Sequence, residues 1–189
     1  MKIFKYLCVV ACLFLLSKAA AQIPEQTTTN NWPQVTSIRG SFKFSFPNNT
    51  YSTIDTLNTL FYVKQVDTLL SLQVHYINNV AVSTTDSVWT VLLSQNNNDT
   101  LRAMGGFMLI LANGQLTSIQ NLNPAGNNPK GLEISMVCPG ESVENNIIFS
   151  RLYLQNGRFH AFTAGSLASD VVRLGAYKTT FFNSITFLP

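Results

Sequence analysis

The chain has 189 residues, of which 46% are hydrophobic and 11% are charged, whereas ordinary soluble domains have roughly 25% charged residues. This hydrophobic content excludes a disordered chain. The formal net charge is +3, from 12 basic and 9 acidic residues. Lys2, Lys5 and Lys18 lie in a predicted targeting segment, and 12 minus these three leaves 9 basic against 9 acidic residues. Such a neutral chain is not steered towards nucleic acid or an anionic membrane surface, so neither is expected as a partner.

Residues 1–21 have the pattern of a secretory signal peptide. Lys2 and Lys5 precede an apolar run at 7–16, and a group of alanines ends at Ala21. As a helix, this run rises about 15 Å, half of the roughly 30 Å hydrocarbon core of a membrane, so a transmembrane anchor is disfavoured. We therefore predict cleavage after Ala21 and a secreted, periplasmic or cell-surface protein with no transmembrane segment.

The remaining chain is long enough for a single domain. Residues 22–36 are rich in Thr, Asn and Pro and predict a flexible N-terminal leader, with a single β domain at 37–189. Cys8 and Cys12 leave with the signal peptide, so Cys138 is the only cysteine of the mature chain and no internal disulfide is possible. Since Cys138 ends an apolar strand without a basic neighbour in sequence, we expect a small buried side chain and not a nucleophile.

Alternation of period two predicts an all-β domain. Residues 41–46 alternate without exception and place three phenylalanines on one face, and residues 69–77 alternate more loosely. Further strands are predicted at 88–93, 132–137, 147–154, 171–177 and 180–187. Asn113-Gly114 and Asn156-Gly157 each lie between apolar runs, and each predicts a two-residue hairpin turn.

The hairpin predicted at 107–119 is apolar on both faces, so both sides of its sheet must be covered. A barrel with an apolar lumen, a sandwich with an extra layer, or burial in an oligomer would each achieve this. We expect a single antiparallel domain with little helix, and favour a barrel of the calycin type over a β-sandwich or jelly roll.

The second predicted hairpin separates into one apolar and one polar face. A two-residue turn at Asn156-Gly157 places Tyr153 opposite His160. The apolar face then holds Leu152, Leu154, Phe159 and Ala161, and the polar face holds Arg151, Tyr153, Gln155, Arg158, His160 and Phe162. We interpret the polar face either as a solvated outer surface or as the polar part of a ligand-facing wall. In the second case the candidate ligand-binding residues are Arg151, Tyr153, Arg158 and His160.

The sequence contains no catalytic motif. The segment 164–168, Ala-Gly-Ser-Leu-Ala, lacks the second glycine of a nucleophile elbow. His75 and His160 alone are too few for a zinc site. No metal or cofactor is expected, and an enzyme is less favoured than a binding protein.

Three functions remain open. The favoured one is a secreted, non-enzymatic binding module with an apolar interior that holds a small apolar ligand. The second is a self-associating surface or matrix protein, similar in behaviour to adhesins, whose doubly apolar strands are buried between copies. The third is a small β-barrel enzyme that uses His160 or His75 with Arg158 and a carboxylate.

Overall fold

A computed structural model describes residues 32–56, 59–78, 98–140 and 144–189. In chain order the strands are β1 (Gln34–Ser37), β2 (Phe42–Ser45), β3 (Ser52–Asp55), β4 (Thr59–Gln65), β5 (Leu70–Asn78), β6 (Gln115–Leu122), β7 (Gly131–Cys138), β8 (Asn146–Gln155), β9 (Arg158–Leu167) and β10 (Thr186–Phe187). The helices are α1 (Asn98–Leu111) and α2 (Val171–Asn183). Among these residues, no helix has the length and apolarity needed to cross a membrane.

The centre of the fold is a seven-stranded antiparallel sheet in the order β3-β4-β5-β9-β8-β7-β6. Strand β5 defines its two faces, because successive side chains of a strand point to opposite sides. The front face carries Leu70, Leu72, Val74 and Tyr76, and the back face carries Ser71, Gln73, His75 and Ile77. Most of these side chains are buried on both faces, so the sheet is covered on both sides.

A second sheet of order β1-β2-β10, together with α2, covers the front face. The alternation predicted at 41–46 is confirmed, since Phe42, Phe44 and Phe46 are all fully buried. Their rings pack against the front-face residues and against Phe181 of α2. Helix α1 covers the β7 and β8 part of the back face, where Leu101 and Met104 join a second apolar cluster.

Asn113-Gly114 ends a helix and does not form the predicted hairpin turn. The amide of Asn113 donates to the carbonyl of Ile110 at 3.2 Å, and that of Gly114 donates to the carbonyl of Leu109 at 2.8 Å. With φ of 49° at Asn113, this is a Schellman C-cap. A hairpin and a C-cap both need positive φ, which Asn-Gly supplies, so the dipeptide alone did not distinguish them. The apolar run before it is therefore the end of α1.

The strands predicted at 171–177 and 180–187 are also wrong for most of their length. Residues Val171–Asn183 form α2, and only Thr186–Phe187 form a strand. The buried residues of the helix are Leu174, Tyr177, Phe181 and Phe182. These positions are three, four and one residues apart, which is the spacing of one helical face.

The domain is mostly antiparallel strand, as predicted, but a barrel is not found. Within the described part of the chain, β3 and β6 are the two free edges of an open sheet. The predicted cover on both faces exists, and a helix on each side contributes to it. The predicted strand at 88–93 and the signal peptide at 1–21 lie outside the described residues.

The folded region begins before residue 37. Strand β1 starts at Gln34 and pairs with β2, and Val35 is part of the front-face core. The ring of Trp32 lies 5.4 Å from that of Tyr177 on α2. Residues 32–36, which the sequence assigned to the leader, therefore belong to the fold.

Cys138 is buried at the end of β7, and burial raises the pKa of its thiol from an ordinary 9.0 to about 11. Since the thiolate is the reactive form, this shift alone slows attack on a thiol reagent by about 100-fold. We expect an aromatic disulfide reagent at pH 8 to label the native protein far more slowly than the urea-unfolded protein. Equal rates in the two samples would contradict this placement.

Candidate functional site

The β8-β9 hairpin has the predicted register. Asn156 and Gly157 have φ of 51° and 70°, as a type I′ turn requires at both central positions. Gln155 pairs with Arg158, and Tyr153 pairs with His160. The structure thus brings the four candidate residues onto one face of the hairpin, which is the front face of the large sheet.

This face is largely a packed layer and not a solvated outer surface, which was one of the two interpretations of the sequence. His160 is completely buried, with its ring edge-on to those of Phe42 and Phe187 at 5.4 and 4.9 Å. Its Nε2 lies 3.1 Å from the carbonyl oxygen of Gly40. Burial lowers the pKa of His160 to about 4, so the imidazole is neutral at physiological pH.

Arg151 and Tyr153 are also engaged within the protein. The Nε of Arg151 donates to Glu133 at 2.7 Å, and its Nη1 donates to the carbonyl of Phe182 at 3.2 Å. Its guanidinium lies 4.8 Å from the centre of the Phe182 ring. Tyr153 packs against Phe187, and burial raises its pKa. The contacts of Arg151 with Phe182 dock α2 onto the sheet, and the contact of Tyr153 with Phe187 docks β10.

Arg158 is half-buried at the turn end of the hairpin. The prediction that Arg151, Tyr153, Arg158 and His160 contact a ligand stays a prediction. Two of these side chains, Tyr153 and His160, are buried under the β1-β2-β10 sheet and α2, so the solvated-surface interpretation is wrong for them. Arg151 and the Nε2 of His160 make internal polar contacts on this face, whereas the buried Nδ1 of His160 and the hydroxyl of Tyr76 have no partner among the described residues.

The back face contains a small cavity between α1 and strands β4, β5 and β9. The residues that line it are Phe61, Gln73, His75, Ile77, Met104, Met108, Phe159, Ala161 and Thr163. The sheet register explains the arrangement, because His75 lies between Phe61 and Ala161, and Gln73 lies opposite Thr163. The helix contributes two methionines one turn apart, and these form the wall opposite the sheet.

Three buried polar side chains, Gln73, His75 and Thr163, line this mainly apolar cavity, and the hydroxyl of Thr163 is hydrogen bonded to that of Ser150 at 2.9 Å. The Oε1 of Gln73 has no hydrogen-bond partner within the described part of the chain, and the residue is 3% exposed. The ring of His75 lies edge-on to that of Phe61 at 5.4 Å. Burial lowers the pKa of His75 to about 4. The cavity therefore presents a free carbonyl acceptor and a neutral imidazole in apolar surroundings.

The cavity is small, with a volume of about 20 Å³. A void of about 10–15 Å³ is already enough to hold one water molecule. A larger guest needs the methionines to move, and Met104 and Met108 are suited to this because an unbranched thioether side chain repacks easily. The site can thus accept water as it stands, or a small molecule after local repacking of α1.

Sequence reasoning found one side of this site. The loose alternation at 69–77 already placed Gln73, His75 and Ile77 on a common side. Met104 and Met108 were missed because the chain from residue 107 was interpreted as a β-hairpin, and a helical period in 98–111 is the signal that would have found them. Among the described residues, no group of three or more His, Cys, Asp or Glu side chains could hold a metal ion.

Comparisons with known proteins describe the fold and not the activity. No protein-family model matches the sequence, and no curated protein matches it. The fold is similar to the solution structure of cyanobacterial PsbP (CyanoP) from Synechocystis sp. PCC 6803, with a TM-score of 0.53 and 8% identity over 88% of this chain and 98% of that chain. LpqN, involved in cell envelope biogenesis of Mycobacterium tuberculosis, matches with a TM-score of 0.41 and 10% identity over 85% of this chain and 80% of that chain. The second score is too low to support an argument.

Proposed function

We propose that the protein is a secreted, non-enzymatic binding module that holds a small, mainly apolar ligand between α1 and the back face of its sheet. The signal-peptide pattern at residues 1–21 supports secretion. The observation that carries ligand binding is the unpartnered Oε1 of Gln73, which is buried beside an apolar cavity. A buried acceptor without a partner costs about 1–3 kcal/mol, so its presence favours a guest that satisfies it.

The lining defines the chemistry of the ligand. An amide oxygen accepts hydrogen bonds only, so the ligand offers one O–H or N–H group to Gln73. The neutral ring of His75 provides a second polar contact without charge. The rest of the lining, from Phe61, Ile77, Phe159 and the methionines, fits an apolar body. The ligand class is therefore a small uncharged molecule with one donor group.

Bound material can be read by native mass spectrometry of the secreted protein, compared with the same sample after denaturation. We expect an additional mass that is lost on denaturation. Ala161 is 3% exposed and lines the cavity, so Ala161→Leu fills the space and should remove that mass. The matched control is Ala103→Leu on the outer side of α1, where the position is exposed, and it should keep the ligand.

Gln73→Leu separates the polar contact from the volume of the cavity. The variant removes an unsatisfied buried acceptor, so the ligand-free protein should gain about 1 kcal/mol in free energy of unfolding. It should also retain less ligand than the wild type. A wild type that carries no additional mass, or an equal load on the wild type and Ala161→Leu, would contradict the proposal. A wild type without additional mass would mean that the cavity holds nothing larger than water.

A further inference from the structure

Strand β6 is an exposed edge of the large sheet. All of its side chains except the half-buried Leu122 are exposed, including Leu116 at 47% and Ile119 at 40%. Its sequence, Gln-Leu-Thr-Ser-Ile-Gln-Asn-Leu, contains no charge, no proline and no glycine. The described part of the chain places no strand on its outer side. Such an edge offers backbone donors and acceptors to another strand.

The opposite edge of the sheet is built differently. Strand β3 has only four residues, and its last residue, Asp55, forms an ion pair with Arg39. Short length and charge are common means by which proteins keep an edge strand from pairing with other chains. The eight residues of β6 lack both, so the two edges of one sheet differ in their readiness to pair.

The first six residues of β6 form a chemical palindrome. Read from either end, Gln115 to Gln120 is amide, aliphatic, hydroxyl, hydroxyl, aliphatic, amide. An antiparallel copy centred between Thr117 and Ser118 therefore sets glutamine against glutamine, Leu116 against Ile119, and threonine against serine. Directly opposed side chains of like chemistry and no charge are favourable in a sheet.

The two faces of the strand follow the same symmetry because of an irregularity at Thr117. The β6-β7 register shifts between Leu116 and Ser118, and the hydroxyls of Thr117 and Ser118 both lie within 2.7 Å of Ser135 Oγ. As a result Leu116 and Ile119 both point to the back face, opposite Met136 and Ile134. A partner strand without a bulge would lose its register with β6 at this point. In a symmetric pair both strands carry the bulge at the two-fold axis, so the register is kept.

We propose that β6 pairs antiparallel with β6 of a second copy of this chain, forming a symmetric dimer with one continuous sheet. A two-fold interface uses the same surface on both copies, and the palindrome supplies that self-complementarity. Leu116 and Ile119 of the two copies form a four-residue apolar strip on the back face. The proposal adds an assembly surface that is separate from the ligand cavity.

The oligomeric state of the secreted protein tests this inference by sedimentation velocity across the micromolar range. We expect a dimer for the wild type and a monomer for Ile119→Lys, because two lysines would face an apolar partner. The matched control is Ile54→Lys on β3, where the isoleucine is 45% exposed, and it should remain a dimer. Thermal unfolding of both variants checks that they fold.

A charge series tests the register. Gln115 of one copy opposes Gln120 of the other, so Gln115→Glu with Gln120→Lys creates two attractive pairs and should preserve the dimer. Gln115→Lys with Gln120→Lys creates two repulsive pairs and should weaken dimerisation roughly tenfold. A wild-type monomer at every concentration, a dimer that Ile119→Lys leaves intact, or equal effects of the two double variants would each overturn the proposal. Ligand retention in a monomeric Ile119→Lys variant would leave the binding function standing.

Discussion

Phe42→Ala is expected to lower the free energy of unfolding by about 3–5 kcal/mol, the usual cost of a large-to-small change at a buried phenylalanine. The side chain is fully buried and links the β1-β2-β10 sheet to the front face of the large sheet. Its ring contacts the rings of Phe44, Tyr76, His160, Phe162 and Phe187. Equilibrium unfolding in urea measures the effect.

Ile38→Ala is the matched control, because Ile38 is 86% exposed in the β1-β2 turn. A surface substitution of this kind usually changes stability by no more than about 0.5 kcal/mol. If the two variants lose equal stability, the small sheet does not form part of the core.

Acidification is expected to destabilise the protein between pH 6.5 and about 4. Burial lowers the pKa of both His75 and His160 to about 4 from an ordinary 6.5. In this window the unfolded chain binds two protons that the folded chain excludes, so protonation favours the unfolded state. Each histidine then costs up to 1.4 kcal/mol per pH unit, or about 3 kcal/mol over the window. Above pH 6.5 this penalty is absent.

Urea unfolding at a series of pH values from 7 to 4.5 measures that slope. His75→Phe should remove about half of it, since the structure places this ring against Phe61 in an apolar site that accepts an aromatic ring. His160→Phe should remove the other half, while also losing the contact with the Gly40 carbonyl. An unchanged slope in the double variant would show that these two histidines are not the source of the acid sensitivity.

Local signals predicted local structure well and failed where one signal serves two structures. The alternating phenylalanines at 41–46 and the Asn156-Gly157 turn needed only neighbouring residues, and both predictions are confirmed. Asn113-Gly114 carries the same turn signal but caps α1, and the choice depends on what precedes it. The helical spacing within 171–183 is present in the sequence, but the segment was assigned to strands because the rest of the chain predicts β structure.

The role of the polar face of the β8-β9 hairpin could not be predicted from the hairpin sequence alone. Its partners are distant in sequence, with Gly40 for His160, and Glu133 and Phe182 for Arg151. A polar residue on a strand is equally compatible with solvent and with a buried partner supplied by another layer. The cavity depended in the same way on α1, because Gln73 and His75 form a site only where the helix closes over them.

The order of strands has a consequence for how the chain is made. Strands β3 to β5 and β6 to β9 are two runs of sequence neighbours, and within the described strands of the large sheet they are joined by the nine-residue pairing of β5 with β9. During synthesis β5, which is buried along most of its length, is complete long before β9 exists. During that interval the edge of β5 that will pair with β9 has no partner, and an unpaired strand edge is prone to aggregation. Strand β5 therefore gains its second neighbouring strand only after residue 167 has been made.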